Sequence, residues 1–447
     1  MVRKTATLAC TFLTICCMTL PAFSQEKATI PRIKAKSYHP PSRVSPDAFS
    51  RIVSNELNSE GQASTPATNP LPLTHWSYSV SSSRDGLTYS GVIVGKKALS
   101  KSSTSASIPT EIIPVIVKTV SLGTAVDSFG NITTEKGKSG DKTTFDPTAA
   151  DNSCMASPNN IPATVFKQSP LFQNADFNYG GTDVGTTQAT DALQRASFWT
   201  RIDPTQYHVL LGSLKVLPAV TLSVPAPKNG VGGLALDLPG LIGFCGRIGL
   251  VDVDTIDNFV LSALATLEGN GVTTKSLPLF MFYNTAFTAG DPTSLADCCY
   301  LGYHSAVNVG TAASPVYQTY SPFDFDMTAF FINDDNSSVL DTEVASHEVA
   351  EWMNDPLGGN PTPAWGNVGQ DVGICQDNLE VGDPLSGLEA PRIAMSNHFT
   401  YHLQELAFFS WFYGAIDGGP ASIGLNGWFS NNASFLTDAG PVCGTKQ

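Results

Sequence analysis

The chain has 447 residues, of which 42% are hydrophobic and 14% are charged, and its formal net charge is −14. This length and hydrophobic content allow a large core in one large or two medium domains. The low charge, together with 38 glycines and 30 prolines, favours strands and turns over a helical bundle. The acidic balance argues against nucleic acids and anionic membrane surfaces as partners.

The N-terminus has the pattern of a secretion signal. Arg3 and Lys4 provide a basic start, an apolar run follows, and Ser24 ends a stretch of small residues where cleavage can occur. The apolar run is too short to predict a membrane span, and no other segment has the character of one. We therefore predict residues 1–24 as a signal peptide and an extracellular or periplasmic location for the mature chain.

Six of the nine cysteines lie beyond the predicted signal, and an even count in an exported chain favours disulfides. They are Cys154, Cys245, Cys298, Cys299, Cys375 and Cys443. We expect the adjacent Cys298 and Cys299 to pair with different partners, because a bridge between neighbours is strained. The alternative is a thiolate zinc site, but the sequence has no Cys-x-x-Cys spacing.

Residues 25–74 form a polar, proline-rich leader or linker. One helix is predicted inside it, where Ser45 can cap and Pro46 suits the first helical position. The pattern is compatible with a propeptide and equally with an arm that packs on the rest of the chain.

Residues 75–447 are predicted as one globular domain, and the first half of it is rich in strands. The predicted strands are 76–80, 87–94, 112–120, 207–211, 277–283 and 316–320. Outside the motif described next, helices are predicted at 188–199, from a cap at Asp254 to Gly269, and at 397–413. Helix, strand, strand and then a helix that carries a motif predict an α+β fold with a mixed, twisted sheet.

The motif helix is predicted from a capping-box-like start at residues 338–341 through residue 353, and Pro356 ends it. His347 and Glu351 are four residues apart and therefore point the same way on this helix. A neutral imidazole and a carboxylate so placed can hold one metal ion. Glu348, one residue further round, can then deprotonate a metal-bound water.

The competing interpretation is an ordinary helix whose acidic residues face water. Two observations weigh against it. Apolar residues surround the motif and predict a buried helix, and adjacent buried Glu348 and Glu351 would repel each other unless a cation or protons neutralised them.

A third metal ligand is expected in the segment that runs from residue 379 to residue 384. Glu380 is the first candidate, and Asp383 is the second, either as a ligand or as an acceptor that orients His347. A solvated turn before Pro384 is the alternative for this segment.

Three further histidines have the position or spacing of possible binding residues. His398 and His402, with Glu405, have the spacing of a competing metal site, although an amphipathic helix explains the same spacing more simply. His304 follows the cysteine pair and is a candidate for binding an oxyanion or substrate.

These residues together resemble secreted zincin-type metallopeptidases with a His-Glu-x-x-Glu helix. The resemblance covers residues 275–385 and is carried by His347-Glu348-x-x-Glu351, Asn354-Asp355-Pro356, Trp365 and Glu380-x-Gly-Asp383. It implies a zincin-like sheet with an active-site helix and zinc-dependent peptide hydrolysis, with Glu348 as general base. Glu351 stands where the zinc peptidases with a His-Glu-x-x-His helix have their second histidine.

A fainter similarity connects the chain to plant phosphate-induced, EXORDIUM-like extracellular proteins. It is carried by Cys299, Gly302, His304, Glu380 and Asp383. It implies a wall-associated role that does not require catalysis.

The sequence therefore predicts a secreted zinc metallopeptidase in which His347, Glu351 and Glu380 hold Zn²⁺ and Glu348 activates water. The substrate would be a peptide or protein, bound by pairing with the edge of the strand at residues 316–320. The alternative is a non-catalytic extracellular or cell-wall-associated binding protein on a degenerate scaffold of the same kind.

Overall fold

The computed structural model describes most of the chain between residues 33 and 407. The described residues are 33–36, 38, 40–58, 69–82, 85–98, 104–121, 125–126, 132–133, 141–179, 181–238, 244–295, 298–333, 336–366, 375–386 and 392–407. The predicted signal peptide and Cys443 lie outside them.

Strands dominate the described residues. They are β1 (Ile33–Lys34), β2 (His75–Ser81), β3 (Thr88–Val94), β4 (Ala106–Ser121), β5 (Ala125–Val126), β6 (Ile132–Thr133), β7 (Asp141–Phe145), β8 (Ala175–Tyr179), β9 (Thr182–Thr187), β10 (Val209–Val216), β11 (Val220–Ser223), β12 (Gly233–Asp237), β13 (Arg247–Asp252), β14 (Leu277–Tyr283), β15 (Thr285–Thr288), β16 (Cys298–Tyr300), β17 (Ser305–Asn308), β18 (Tyr317–Phe325), β19 (Phe331–Ile332), β20 (Pro361–Gly366), β21 (Cys375–Asn378), β22 (Arg392–Ala394) and β23 (Thr400–His402).

Helices are fewer. They are α1 (Pro46–Asn58), α2 (Pro162–Lys167), α3 (Ala189–Ser197), α4 (Val253–Leu267) and α5 (Glu343–Asn354), with one 3-10 turn at Asp383–Leu385. Among the described helices, none combines the length and the apolar character that a membrane span needs.

The centre of the fold is an 11-stranded sheet built around the 16-residue strand β4. The first half of β4 lies between β10 and β14, both parallel to it, and its second half pairs with β7, β11 and β12. One long strand thus has different neighbours at its two ends, and the sheet curls into a half-barrel.

The prediction of an α+β, zincin-like fold is wrong, because the described residues are mostly β, with 40% strand against 18% helix. Many of the strands have only two to five residues, too few for an alternating pattern to stand out in the sequence.

Several individual predictions are confirmed. β2 and β3 form the predicted antiparallel hairpin, α3 lies within 188–199, and β14 has the predicted bounds. Helix α4 also forms, but its cap is Asp252, whose side chain accepts a hydrogen bond from the Thr255 amide.

The late helix predicted at 397–413 is wrong over its described part. Residues 400–402 are the strand β23, which pairs with β22. The apolar side chains that had predicted a helical face, Leu403 and Leu406, are buried without a helix.

Helix α5 packs on β18 and β3, and it places the motif against the central sheet. β18 pairs with β17 at residues 317–320 and with β14 at residues 321–325, so β17 occupies one edge of the strand predicted for substrate pairing. The strand at this end of the sheet is β17, which begins directly after His304.

The segment before residue 74 contributes to the folded body. β1 pairs with β19, and Val44, Ala48 and Ile52 are buried in the main core. Arg43 forms an ion pair with Asp257 of α4. The described part of this segment thus packs on the rest of the chain, which is compatible with a propeptide and with an arm.

Two disulfides are present among the described cysteines. Cys154 is bonded to Cys245, 91 residues away, with 5.3 Å between the Cα atoms. Cys298 is bonded to Cys299, so the prediction that these neighbours have different partners is wrong.

A pair of buried acids lies at the end of β18. Asp324 Oδ1 accepts from the Thr285 amide, and Asp326 Oδ1 accepts from the amide and hydroxyl of Thr328. Within the described residues, neither Oδ2 atom has a hydrogen-bond partner. Burial raises the pKa of both acids, that of Asp326 to about 6, and the Asp326 charge adds to the rise at Asp324.

The Asp326 carboxyl should make the stability of the protein fall as pH rises. Its ordinary pKa is 3.8 and its folded pKa is about 6, so between these values the folded protein binds more protons than the unfolded chain. The free energy of unfolding therefore declines over this window, by an amount on the order of 3 kcal/mol, since a tenfold change in proton affinity is worth ~1.4 kcal/mol. We expect D326N to flatten this decline in denaturant titrations made at a series of pH values.

The matched control is D291N, in a turn of the same kind. Asp291 Oδ1 accepts from the amide and hydroxyl of Thr293, but the pair is exposed. D291N should keep the wild-type pH dependence, and an equally steep decline in D326N would contradict the assignment.

Candidate metal centre

Helix α5 carries the predicted motif inside the protein. All twelve of its residues are buried, in agreement with the apolar residues that surround the motif. Its C-cap is Asp355, whose amide donates to the Glu351 carbonyl, and Pro356 follows. The period of the helix brings His347 Nε2 within 3.1 Å of Glu351 Oε2.

The segment after β21 closes on this face of α5. The Gly382 amide donates to Glu351 Oε1 over 3.1 Å, and Asp383 Oδ1 lies 3.5 Å from His347 Nε2. Gln376 of β21 donates to Asp383 Oδ2, which leaves Oδ1 turned toward the imidazole.

His304 approaches the same carboxylates from the sheet. Its Nδ1 lies 3.6 Å from Glu348 Oε2 and 3.6 Å from Glu351 Oε2. Its Nε2 lies 3.0 Å from the Asp355 carbonyl oxygen and 3.7 Å from Glu380 Oε2. Glu380 Oε1 accepts from the Asn378 side chain over 2.8 Å, which ties it to the end of β21.

Hydrogen bonds fix which nitrogen of each imidazole carries a proton. The Gln404 amide nitrogen donates to the Gly382 carbonyl, so its oxygen faces His347 Nδ1 at 2.9 Å and must accept from it. The Asp355 carbonyl likewise accepts from His304 Nε2. The remaining nitrogens, His347 Nε2 and His304 Nδ1, face carboxylate oxygens.

The surroundings of the cluster are almost dry. His304 is 5% exposed, His347 8% and Glu348 5%, while Glu351 and Glu380 are at 1%. Four carboxylates and two imidazoles therefore share a buried space, and cations or bound protons must offset the excess negative charge.

The titration behaviour of the cluster reflects this excess. Burial lowers the pKa of His304 and of His347, but the neighbouring carboxylates more than offset it, so both pKa values lie well above the ordinary value. Burial raises the pKa of Glu348, and His304 opposes the rise only in part. Burial also acts on Glu351, but the two imidazoles prevail and hold its pKa below the ordinary value.

The six predicted residues are all in this cluster, but they divide differently from the sequence-based ligand set. Two triads have donor atoms that all lie within 4.8 Å of one another: His347, Glu351 and Asp383, and His304, Glu351 and Glu380. Glu380 thus groups with His304, and Asp383, the second candidate, groups with His347. Glu348 belongs to neither triad.

The competing site at the end of the described chain has no such arrangement. His402 Nδ1 lies 2.6 Å from Asp341 Oδ2, just before α5. Among the described residues, no group of possible metal ligands contains His398, His402 or Glu405.

Most of the donor spacing is longer than direct hydrogen bonds and slightly longer than the spacing around a bound cation. The contacts between ring nitrogens and carboxylate oxygens are mostly 3.5 to 3.7 Å, beyond ordinary hydrogen-bond length. A cation with bonds of ~2.1 Å holds neighbouring donors ~3 to 3.5 Å apart in tetrahedral or octahedral arrangements. Imidazole and carboxylate donors together suit zinc and other first-row divalent metals.

Sequence reasoning missed Gln404 and two glycines. A Cβ on Gly382 would lie 2.7 Å from His347 Cγ, and one on Gly302 would lie 2.9 Å from Glu348 Cγ. Gln404 lies 57 residues from His347, and no local pattern marks it. The sequence shows Gly382 next to Asp383 and Gly302 two residues before His304. Only the structure shows that a side chain at either glycine would lie too close to His347 or Glu348.

Comparison of the chain with protein-family models, with curated proteins and with solved structures finds no match. The function must therefore be argued from the cluster itself.

The close approach of Gly382 to the His347 ring gives a direct test of the packing. We expect G382A to lower the free energy of unfolding by about 1–3 kcal/mol, because the added methyl must displace the ring or the segment that carries Asp383. Chemical denaturation monitored by tryptophan fluorescence would measure the change. G359A is the control, since the nearest atom to a Cβ there is 3.9 Å away. Equal stabilities of the two variants would contradict this packing.

Proposed function

We propose that the chain is an exported, zinc-dependent hydrolase that cleaves peptide bonds with a metal-activated water. The observation that carries the proposal is the convergence of His347, Glu351 and Asp383 on one buried position, with the carboxylate of Glu348 beside it and outside both triads. Export is supported by the N-terminal pattern and by the disulfide between Cys154 and Cys245.

The residues divide into those that would bind the metal and one that would transfer a proton. His347 Nε2, Glu351 Oε2 and Asp383 Oδ1 are the donors, and Gln404 and Gln376 fix two of them in orientation. A zinc ion bound there would polarise the carbonyl of the substrate and lower the pKa of a bound water. Glu348 is the residue left to take the proton from that water and return it to the leaving amine.

His304 acts on Glu348 from the opposite side. Its Nδ1 lies 3.6 Å from Glu348 Oε2, and its Nε2 is anchored on the Asp355 carbonyl. The imidazole therefore limits the positions that the Glu348 carboxylate can take.

The proposal is tested by E348Q, which keeps the size of the side chain but removes the base. We expect the purified variant to retain its metal and to lose hydrolysis of a broad peptide library by about 10²- to 10⁴-fold in kcat. Metal content is measured by elemental mass spectrometry and hydrolysis by the release of new amino termini.

The matched control is E111Q, at a buried glutamate of β4 outside the cluster, which should keep both metal and activity. Wild-type activity in E348Q would refute the role of Glu348.

The burial of the cluster favours one second candidate, a non-catalytic extracellular binding protein whose metal stabilises the fold. A His347 that is 8% exposed and a Glu348 that is 5% exposed leave little surface for a substrate. If zinc raises the Tm of the wild-type protein and the zinc-loaded protein cleaves no peptide, this candidate would be established in place of the hydrolase.

A further inference from the structure

We propose that the cluster binds two divalent metal ions, one at His347 and Asp383 and the other at His304 and Glu380, with Glu351 as a ligand shared by both. This inference rests on the proposed metal site and specifies its nuclearity, which decides the class of metal chemistry available to the protein.

The donors fall into two separate triads. Each triad contains one imidazole and one carboxylate of its own, and Glu351 is common to both. Among the residues that the structure describes, no such triad contains both histidines, as one mononuclear site with His304 and His347 would require. The two imidazoles therefore mark two positions.

Glu351 is placed to serve both positions. Its Oε2 lies 3.1 Å from His347 Nε2 and 3.6 Å from His304 Nδ1, and its Oε1 is held by the Gly382 amide. A carboxylate has two oxygens with about four lone-pair sites, so one backbone hydrogen bond leaves it able to bind two cations.

Each imidazole is held in orientation by its own hydrogen bond, as histidines that bind metal are. His347 donates its Nδ1 proton to Gln404, and His304 donates its Nε2 proton to the Asp355 carbonyl. A ring nitrogen held in this way presents its other lone pair, and the arrangement is typical of histidines that bind metal. The lone pair of His347 faces Glu351 and Asp383, and that of His304 faces Glu348 and Glu351, so each ring can take its own cation.

The charge of the cluster leads to the same count. Glu348, Glu351, Glu380 and Asp383 carry four negative charges when ionised, and two neutral imidazoles add none. Unless protons are also taken up, one divalent ion leaves a net charge of −2 in a buried space, whereas two bring the cluster to neutrality.

The test is the metal stoichiometry of the full chain. Protein stripped with a chelator and titrated with Zn²⁺ should bind two ions per chain, measured by calorimetry and by elemental analysis after dialysis. E380Q and D383N should each bind one ion, because each removes a carboxylate from one triad only. E111Q should still bind two. Circular dichroism checks that each variant is folded.

A second readout, like the first, does not depend on hydrolysis. Loaded with Mn²⁺, the wild-type protein should give the electron paramagnetic resonance spectrum of an exchange-coupled pair, and E380Q and D383N should each give that of an isolated ion. One ion per chain in wild type, with an isolated-ion spectrum, would overturn the inference.

The outcomes separate this inference from the proposed function. Two ions without peptide cleavage would support the metal pair and refute the hydrolase. One ion with cleavage would support the hydrolase and refute the pair, and absence of bound metal would refute both.

Discussion

The arrangement of this region depends on one electrostatic constraint, which is the burial of four carboxylates around two imidazoles. Burial of this kind is costly unless opposite charge is supplied. The backbone and the neutral side chains nearby use their hydrogen bonds to fix the charged groups in place. Gly382 holds one oxygen of Glu351, Gln376 holds Asp383, and Asn378 holds Glu380. The oxygens that remain are directed at the two rings.

The central sheet brings these groups together from distant parts of the chain. Helix α5 lies on β18, β17 begins directly after His304, and the hairpin of β20 and β21 precedes Glu380. The cluster is therefore located at the junction of a helix, a sheet edge and a hairpin. Small residues make the junction possible, since Gly302 and Gly382 lie where any Cβ would meet Glu348 or His347.

Local sequence patterns predicted the parts of this site that depend on a single element. The spacing of His347 and Glu351 and the stop at Pro356 were sufficient for the helix and for the face that carries both residues, although the helix begins at Glu343 and not at 338–341. Glu380 and Asp383 were placed near it, but the sequence could not show that Asp383 faces His347 while Glu380 faces His304. That division depends on the register of β21 and on the path through Gly382, which are set by tertiary packing.

The same limit explains the errors in the fold. The spacing of Phe399, Leu403 and Leu406 is that of a helix face, yet Leu403 follows a three-residue strand and is buried in the core. In short strands and the turns around them, burial is set by packing against the core and does not follow a helical period. The prediction for Cys298 and Cys299 failed as well. Adjacent cysteines were expected to have different partners, but these two are bonded to each other.

The glutamate at position 351 is a departure from the His-Glu-x-x-His pattern, although it is itself a predicted metal ligand. The structure gives it a physical reason. A histidine there would offer one lone pair once its other nitrogen was anchored, and could bind one cation. The carboxylate of Glu351 accepts the Gly382 amide on one oxygen and still faces both imidazoles with the other. The residue that weakens the comparison with mononuclear zinc helices is therefore the one that a shared, two-ion centre requires.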